Sequence, residues 1–239
     1  MHWGGNVALK DDLISEARLV FRTTWTSRDG RVVPELGDLR LGNDAVELDA
    51  TVLYADMTDS TKMVDTKTAR KSAEIYKAYM QCSAKIIKEE GGAVTAYDGD
   101  RIMAVFVGDW KNTTAARTAL KLQWGLNEVV NKEFRAFYDG DDYQLKHTVG
   151  IDTSRLFVSR IGVRNDNDLV WVGRAANFAA KLSAISEGLS AVYITADVYN
   201  ALNERSKLGG PNNQNMWESR AWNAMNKMQI YRSTWQWVP

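Results

Sequence analysis

The sequence predicts an α+β sandwich of the ferredoxin-like type, in which the flanking helices lie on one face of a central, mainly antiparallel sheet. Two observations predict it. From about residue 48 onward, the apolar patterns follow the order strand, helix, strand, strand, helix, strand. Within that order, residues 93–97 and 102–107 read as a hairpin around a Gly-Asp turn, and a hairpin pairs antiparallel strands.

Each element of this prediction has a local signal. Residues 9–22 carry apolar side chains at helical spacing, and turn signals over 29–43 indicate an irregular lead segment. The helix over 68–90 ends at a Gly-Gly pair, a favoured helix stop. The remaining predicted elements are strands over 52–55, 144–152, 155–161, 169–172 and 191–195, helices over 112–137, 175–184 and 196–202, and two tryptophan-rich strands within 217–237. The predicted organisation is an N-terminal helix and lead segment over 1–47 and one domain over 48–239.

The composition excludes several function classes. Lys+Arg and Asp+Glu balance at 30 each, which argues against broad binding of a nucleic acid polymer or an anionic membrane. No apolar run reaches membrane-spanning length, and the N-terminus lacks the pattern of a signal peptide. The single cysteine, Cys82, cannot form an internal disulfide, so a reducing, cytoplasmic location is expected. His2 and His147 are too few and too far apart to form a metal cluster.

Two aspartates form the most informative pair in the chain. Asp56 ends an apolar run, and Asp100 follows Gly99 in the predicted hairpin turn, 44 positions later. Either acid alone is equally well explained as a helix cap or a turn residue, and Asp59 is expected to be a cap. Because both Asp56 and Asp100 lie at strand ends, they favour a site that holds divalent metal against a triphosphate.

A second group of polar residues follows the strand that ends at Gly173. Asn177 and Lys181 are four residues apart, so they share one face of the predicted helix, while Phe178 and Leu182 cover the adjacent apolar face. Without further context, this pattern is equally typical of a solvated polar stripe.

Taken together, these motifs resemble the class III nucleotidyl cyclases over about residues 48–202, in the order and spacing of that family. The motif residues are Tyr54–Met57, Gly99–Phe106, Val149–Asp152, Gly173, Asn177, Ala179 and Lys181. The resemblance implies a cyclase fold and a reaction in which the 3′-hydroxyl of a nucleoside triphosphate attacks its own α-phosphate.

The resemblance also implies roles for single residues. Asp56, Asp100 and the backbone of Met57 would bind two divalent ions, Mn²⁺ or Mg²⁺. Asn177 would orient the ribose. Lys181 stands where the family has an arginine that stabilises the transition state, and a lysine keeps the charge but lacks the bidentate fork. We therefore expect slower turnover or a shifted geometry rather than loss of function.

Two further departures concern the triphosphate and the base. Thr148 stands where many members have a basic residue that grips the triphosphate, and the candidates to replace it are Lys146, Arg155, Arg160, Arg220 and Lys227. The predicted phosphate-binding set is the turn Thr58, Asp59, Ser60 and Thr61 with Arg220 and Lys227. Ala96 and Val170 occupy the base-reading positions and cannot make the side-chain hydrogen bonds that separate adenine from guanine. With Tyr54 and Tyr97 as walls, this predicted pocket suits a pyrimidine better than a purine.

The lead segment resembles that of the bacterial pyrimidine cyclases of Pycsar antiphage defence. The matching pieces are residues 28–34, 38–43 and 50–57. The resemblance implies a metal-dependent enzyme that converts UTP to cyclic UMP, a messenger that activates a separately encoded effector protein. It also implies a head-to-tail homodimer, in which one subunit supplies the acids and the other supplies Asn177 and Lys181.

Other functions remain open from the sequence alone. A cytidylate, adenylate or guanylate cyclase would use the same chemistry. A catalytically silent nucleotide-sensing module is favoured by Lys181 and Thr148 but opposed by the presence of both acids. A palm-type polymerase domain shares the topology, but the chain lacks the length for fingers and thumb and lacks a basic template channel.

Overall fold

A computed structural model describes residues 7–239, so His2 lies outside the described residues. Its helices are α1 (Val7–Arg22), α2 (Ser60–Thr66), α3 (Ala69–Glu89), α4 (Lys111–Trp124), a π-helical turn (Gly125–Val130), α5 (Asn131–Phe137), α6 (Arg174–Ser183), α7 (Ala196–Asn200), α8 (Glu204–Lys207) and 3₁₀ turns at Leu36–Asp38 and Asn223–Met225. None of the described helices is long and apolar enough to cross a bilayer.

The strands form one nine-stranded sheet and a two-stranded ribbon. They are β1 (Thr26–Gly30), β2 (Asp44–Thr58), β3 (Ala93–Asp98), β4 (Arg101–Phe106), β5 (Lys146–Val163), β6 (Asp166–Val172), β7 (Ala191–Thr195), β8 (Leu208–Gly209), β9 (Gln214–Asn215), β10 (Glu218–Trp222) and β11 (Met228–Ser233). The sheet order is β10-β11-β7-β5-β2-β4-β3, with β1 on β2 and β6 on β5, while β8 and β9 make the ribbon. Only β1–β2 and β5–β7 are recorded as parallel pairs, so the prediction of a mainly antiparallel α+β sheet is confirmed.

The chain divides into two compact units. The small unit comprises the described residues up to Leu48 together with Phe157–Val172, and the large unit comprises Asp49–Leu156 with Gly173–Pro239. Because β2 and β5 are long, each contributes residues to both units. The predicted boundary at residues 47 and 48 stays a prediction.

The core of the large unit lies between the sheet and the helices α3 and α4. The inward-facing residues of four strands pack against the small residues of α4. The strand residues include Leu53, Ile102, Val149 and Ile194. Helix α3 begins at Thr68, whose side chain caps the Lys71 amide, and its buried face repeats at helical spacing. Burial of this face fixes the helix against the sheet.

Helix α6 lies on the opposite face of the sheet from α3 and α4. Strand residues alternate between faces, so Gly150 points away from the core that takes Val149 and Ile151. A β-carbon at Gly150 would lie 2.2 Å from the carbonyl oxygen of Ala179, so only glycine admits this close approach of α6. The prediction that the helices lie on one face of the sheet is therefore wrong for α6, because a glycine in β5 lets this helix pack on the other face.

The small unit has its own pairing. Residues 26–30 of β1 run parallel to residues 44–48 of β2, and β6 pairs with residues 157–163 of β5. The rings of Trp25 and Phe157 meet edge to face at 5.0 Å. Apolar side chains of α1 such as Leu13 and Phe21 are exposed, so its amphipathic pattern is not used to cover this unit.

Three elements differ from the sequence prediction. The two strands predicted over 144–152 and 155–161 are one 18-residue strand, because Thr153 and Ser154 continue the extended backbone. The helix predicted over 112–137 is interrupted by the π-helical turn. Helix α2, only seven residues long, falls in a segment too short for a clear helical period.

A buried polar chain links α3, α4 and β5. The Tyr79 hydroxyl and the His147 Nδ1 are 3.0 Å apart, and the His147 Nε2 lies 2.8 Å from the Gln123 Oε1. Because Gln123 Oε1 can only accept, Nε2 carries the proton and Nδ1 accepts from Tyr79. Complete burial lowers the pKa of His147 to about 3, so the ring is neutral.

The free energy of unfolding is expected to decrease as the pH is lowered, because of His147. An unfolded histidine takes a proton below about pH 6.5, whereas the folded ring does not until about 3. The slope approaches about 1.4 kcal/mol per pH unit. Urea denaturation at several pH values should show this slope, and His147→Gln should remove it. Equal slopes in both proteins would contradict the assignment.

Candidate active site

The two predicted metal-binding aspartates lie at one end of the sheet, on neighbouring strands. Asp56 pairs with Arg101 in the β2–β4 register, and Asp100 lies in the turn that joins β3 to β4. Gly99 has a φ of +61°, which glycine adopts without strain. The Met57 amide donates to the Asp100 carbonyl oxygen at 3.2 Å, so the structure brings together the three residues expected to hold metal.

The electrostatics of this pair favour a cation. Burial and, to a smaller extent, the nearby Asp100 carboxylate raise the pKa of Asp56 to about 7, against the opposing charge of Arg101. No group of three or more His, Cys, Asp or Glu side chains that could hold a metal exists among residues 7–239. Two carboxylates and the Met57 carbonyl would therefore be the protein's ligands, which are the oxygen donors that Mg²⁺ and Mn²⁺ prefer, with substrate phosphates completing the set.

The affinity of this site for a divalent cation is expected to decrease as the pH is lowered. A cation must displace the proton from Asp56, whose pKa is about 7, so affinity should drop about tenfold per pH unit once pH is below that value. Calorimetric titration with Mn²⁺ at three pH values measures the change. Asp98→Asn serves as a control that keeps both ligands, and an affinity independent of pH would contradict the expectation.

Arg101 is a site residue that the sequence analysis did not single out. Its guanidinium forms an ion pair with Asp98 at 2.6 Å and lies close enough to Asp56 to lower the pKa of that carboxyl. The strand register that sets Arg101 opposite Asp56 is the signal that could have found it.

The predicted base-pocket residues divide between the two faces of the sheet. Tyr54 and Ala96 both pair with Met103, so they share the face opposite to the helix-side core residues Ile102 and Ala104. Burial raises the pKa of the Tyr54 hydroxyl, which is also close to Arg101 and Asp98.

Tyr97 does not join that face. It pairs with Ile102 and lies beside Lys77 and Met80 of α3, so the prediction that Tyr97 narrows the same pocket as Tyr54 needs correction. The bulge between Val94 and Ala96 sets this register, and strand alternation then sends the Tyr97 ring to the helix side. Val170 pairs with Ser159 within the small unit.

Asn177 and Lys181 are exposed on α6, one turn apart, as predicted. The start of α6 is anchored to β5: Ser154 Oγ accepts from the Ala175 amide, and Arg174 binds the fully buried Asp152 through two bonds of 3.0 and 3.2 Å. The Thr195 hydroxyl donates to the same carboxylate at 2.6 Å. These bonds fix where α6 presents its polar face.

Loss of the Arg174 side chain is expected to destabilise the fold. Arg174→Ala would leave the buried Asp152 carboxylate without its counter-ion, which costs about 3 kcal/mol, the low end of the usual range because Arg174 is 42% exposed. Urea denaturation measures the change. Arg220→Ala removes an arginine that is equally exposed but pairs only with the exposed Glu218, and should change stability by less than about 0.5 kcal/mol. Similar losses in both variants would contradict this interpretation.

The turn predicted to bind phosphate follows Asp56 directly. Thr58 ends β2, Asp59 has a left-handed φ of 57°, and Ser60 and Thr61 begin α2. Asp59 holds the N-cap position of α2, as predicted, but its side chain makes none of the hydrogen bonds that usually accompany that position. The left-handed backbone there accounts for the difference.

The candidate basic residues have separate environments. Thr148 is buried and donates to the Ile185 carbonyl, so it cannot reach a phosphate. Lys146 donates to the Gly188 carbonyl, and Arg160 bonds Asn167 and the Leu39 carbonyl within the small unit. Arg220 pairs with Glu218, and Lys227 follows the second 3₁₀ turn with a φ of 59°.

The acids and the α6 pair are not joined within one chain. Among residues 7–239, no hydrogen bond or ion pair connects Asp56 or Asp100 with Asn177 or Lys181. The structure thus carries two separate groups of candidate site residues: the acids at the end of β2 and β4, and the exposed polar face of α6.

Comparison with known proteins agrees with this geometry. Residues 46–231 match the family model of the adenylate and guanylate cyclase catalytic domain. The chain is similar to a uridylate cyclase of Xanthomonas perforans, with 48% identity over 97% of this chain and 99% of that protein. It is also similar to a uridylate cyclase of Burkholderia cepacia, with 47% identity over 97% of this chain and all of that protein.

A solved structure shares the fold. The adenylyl cyclase CyaB from P. aeruginosa superimposes with a TM-score of 0.68 at 20% identity, covering 79% of this chain and 95% of that one. The four motif groups, the fold and the full-length matches agree, and the chain therefore belongs to the class III family of adenylate and guanylate cyclase catalytic domains.

Proposed function

We propose that this protein is a metal-dependent uridylate cyclase, which converts UTP to 3′,5′-cyclic UMP and pyrophosphate. The observation that carries the proposal is the Asp56 and Asp100 pair, whose mutual repulsion and burial raise the pKa of Asp56 to about 7. The full-length similarity to two uridylate cyclases supports the choice of substrate.

In this proposal, each candidate site residue has a distinct role. Asp56, Asp100 and the Met57 carbonyl hold one or two divalent cations, Mn²⁺ or Mg²⁺, which when bound would lower the pKa of the ribose hydroxyl and neutralise the triphosphate charge. Asn177 orients the ribose. Lys181 places a positive charge beside the α-phosphate. The 3′-hydroxyl gives its proton to solvent water and its oxygen bonds to the α-phosphorus. The bond between the α-phosphorus and the oxygen that bridges it to the β-phosphorus breaks, and pyrophosphate leaves with that oxygen.

The separation of the half-sites supports a head-to-tail homodimer. Among residues 7–239, no hydrogen bond or ion pair joins the acids to the exposed α6 pair, so a second copy is the simplest source of the missing half. In this arrangement each dimer has two composite sites, each with acids from one protomer and Asn177 and Lys181 from its partner.

The residues beside the acids favour a pyrimidine. Ala96 offers no side-chain hydrogen bond, and Tyr54 supplies an aromatic wall on the same face of the sheet. Val170, the second base-reading position, is also apolar. Such a surface lacks the groups that would recognise adenine or guanine.

Product analysis tests the proposal. The purified protein is incubated with Mn²⁺ and each of ATP, GTP, CTP and UTP in turn. Cyclic UMP as the dominant product is expected. Cyclic CMP, AMP or GMP as the dominant product would overturn the substrate assignment, and binding of nucleotide without any product would indicate a sensing module.

The biological setting rests on family resemblance. We propose that the cyclic nucleotide is a messenger in antiphage defence and activates a separate effector protein. The Thr58–Thr61 turn, Arg220 and Lys227 remain predictions as phosphate contacts, as does the cytoplasmic location.

A further inference from the structure

A cavity of about 340 Å³ lies in the large unit, between α3, the π-helical turn and α5. Its wall is mostly apolar and aromatic, with Ile75, Cys82, Val130, Phe134, Tyr143 and Leu145 among the lining residues. This volume is within the range of small-molecule sites. None of the residues placed in the catalytic machinery lines it.

Polar contacts fix the loop that forms one wall of the cavity. The Asn131 side chain binds both backbone groups of Leu145, at 2.9 and 2.8 Å, and so ties the loop after α5 to that helix. Asp141 in the same loop bonds Lys67 and Lys71 at 2.6 and 2.9 Å. These contacts fix Tyr143 and Leu145 without filling the space between them, so the site is formed before any ligand enters.

The charge of the lining selects the class of ligand. The only charged residues that line the cavity are Glu74 and Glu133. Glu74 is matched by Arg70, whereas Glu133 forms no ion pair within the described residues. Lys67 and Lys71 lie over the rings of the lining residues Tyr143 and Tyr138, but both are paired with Asp141. An apolar body therefore suits the walls, and the unmatched Glu133 at the rim favours a cationic group over an anion.

The cavity shares its walls with the support of the catalytic acids. Ile75, Val130 and Leu145 belong to one buried cluster with Met57 and Tyr79. Met57 follows Asp56 and donates its amide to the Asp100 carbonyl. Because packed clusters transmit displacement, a molecule that presses on this wall shifts the backbone that carries the acids.

We propose that this cavity is a regulatory site for a small hydrophobic amine, whose occupation is coupled to the acids at the end of β2. The binding part stands independently of the proposed cyclase activity. The coupling part rests on one element of the proposed function, namely that the acids bind metal. It is tested by metal binding rather than by turnover.

The single cysteine gives a direct test. Cys82 lines the cavity and is the only thiol in the chain. Burial raises its pKa, so labelling with a maleimide is carried out at mildly alkaline pH, with and without 4-phenylbutylamine as the probe. We expect the amine to slow labelling, the neutral 4-phenylbutanol to protect less, and 4-phenylbutyrate to protect least. No protection, or best protection by the carboxylate, would overturn the proposal.

Variants locate the effect. Ala78→Phe fills the cavity from α3 and should abolish protection, whereas Gln81→Phe, on the same helix but outside the cavity, should not. Circular dichroism establishes that both fold. Glu133→Gln should weaken binding of the amine about two- to fivefold, as expected for the loss of an exposed ion pair, and should leave binding of the alcohol unchanged. Protection that persists in Ala78→Phe would place the probe elsewhere and overturn the site.

Calorimetric Mn²⁺ titration tests the coupling. Saturating amine should change Mn²⁺ affinity about fivefold or more in the unmodified protein and leave Ala78→Phe unchanged. An unchanged affinity in the unmodified protein would overturn the coupling. The assay needs no cyclic product, so a failure of the substrate assignment would not imitate either result.

Discussion

Asp56→Asn is expected to reduce cyclase turnover on the order of 10²- to 10³-fold or more, while the protein stays folded. The substitution keeps the shape of the side chain but removes the negative charge that a divalent cation requires. It also relieves the repulsion between two neighbouring carboxylates, so folding stability should hold or rise. Turnover is measured with saturating UTP and Mn²⁺, and stability by urea denaturation.

Asp100→Asn should produce a loss of similar size for the same reason, and calorimetry should show weakened Mn²⁺ binding in both variants. Asp49→Asn is the matched control, because Asp49 is an exposed aspartate on the same strand that pairs only with Lys111. It should retain nearly full turnover. If either acid variant kept most of its activity, the carboxylate pair would not be the metal site.

The fold could be predicted well from the sequence because its strongest signals are local and periodic. The helix predicted over 68–90 forms over Ala69–Glu89, and the strand predicted over 191–195 forms over Ala191–Thr195. The hairpin around Gly99 also forms as predicted, since turn chemistry and alternating strands point to the same structure. Where local preference and tertiary packing agree, sequence patterns are sufficient.

The differences arise where geometry depends on register or on distant packing. A one-residue bulge in β3 determines on which face of the sheet Tyr97 lies, and no residue type in this strand predicts the bulge. The ion pair that anchors α6 joins Arg174 to Asp152, 22 positions earlier, and depends on a strand order that periodicity does not fix. The cavity beside α5 is likewise lined in part by a π-helical turn, which interrupts a helix that reads as continuous in the sequence.

The residues that carry chemistry were found for a different reason. Asp56 and Asp100 are acids placed where apolar strands end, and such positions bring backbone groups and charge together at one edge of a sheet. Asn177 and Lys181 share a helix face by spacing alone, and the structure leaves both exposed there. Sequence could therefore propose both groups of site residues, but how the two groups come together is a question of assembly that periodicity and motifs do not answer.

Mixing two inactive variants is expected to restore about a quarter of wild-type turnover. In an equal mixture of Asp56→Asn and Lys181→Ala chains, half of the dimers are mixed, and each mixed dimer has one site with both defects and one site with neither. Lys181 is exposed, so its replacement by alanine should leave folding intact. Turnover is measured after the two chains have been mixed under conditions that allow subunit exchange.

The matched control uses two acids from the same half-site. A mixture of Asp56→Asn and Asp100→Asn chains should stay inactive, because every composite site then contains a defective acid pair. Light scattering establishes that the mixed species are dimers in both experiments. If the acid pair and α6 acted together within a single chain, neither mixture would recover activity, and if both mixtures recovered, rescue would not come from shared sites. Recovery in the first mixture alone is the outcome that only a site divided between protomers produces.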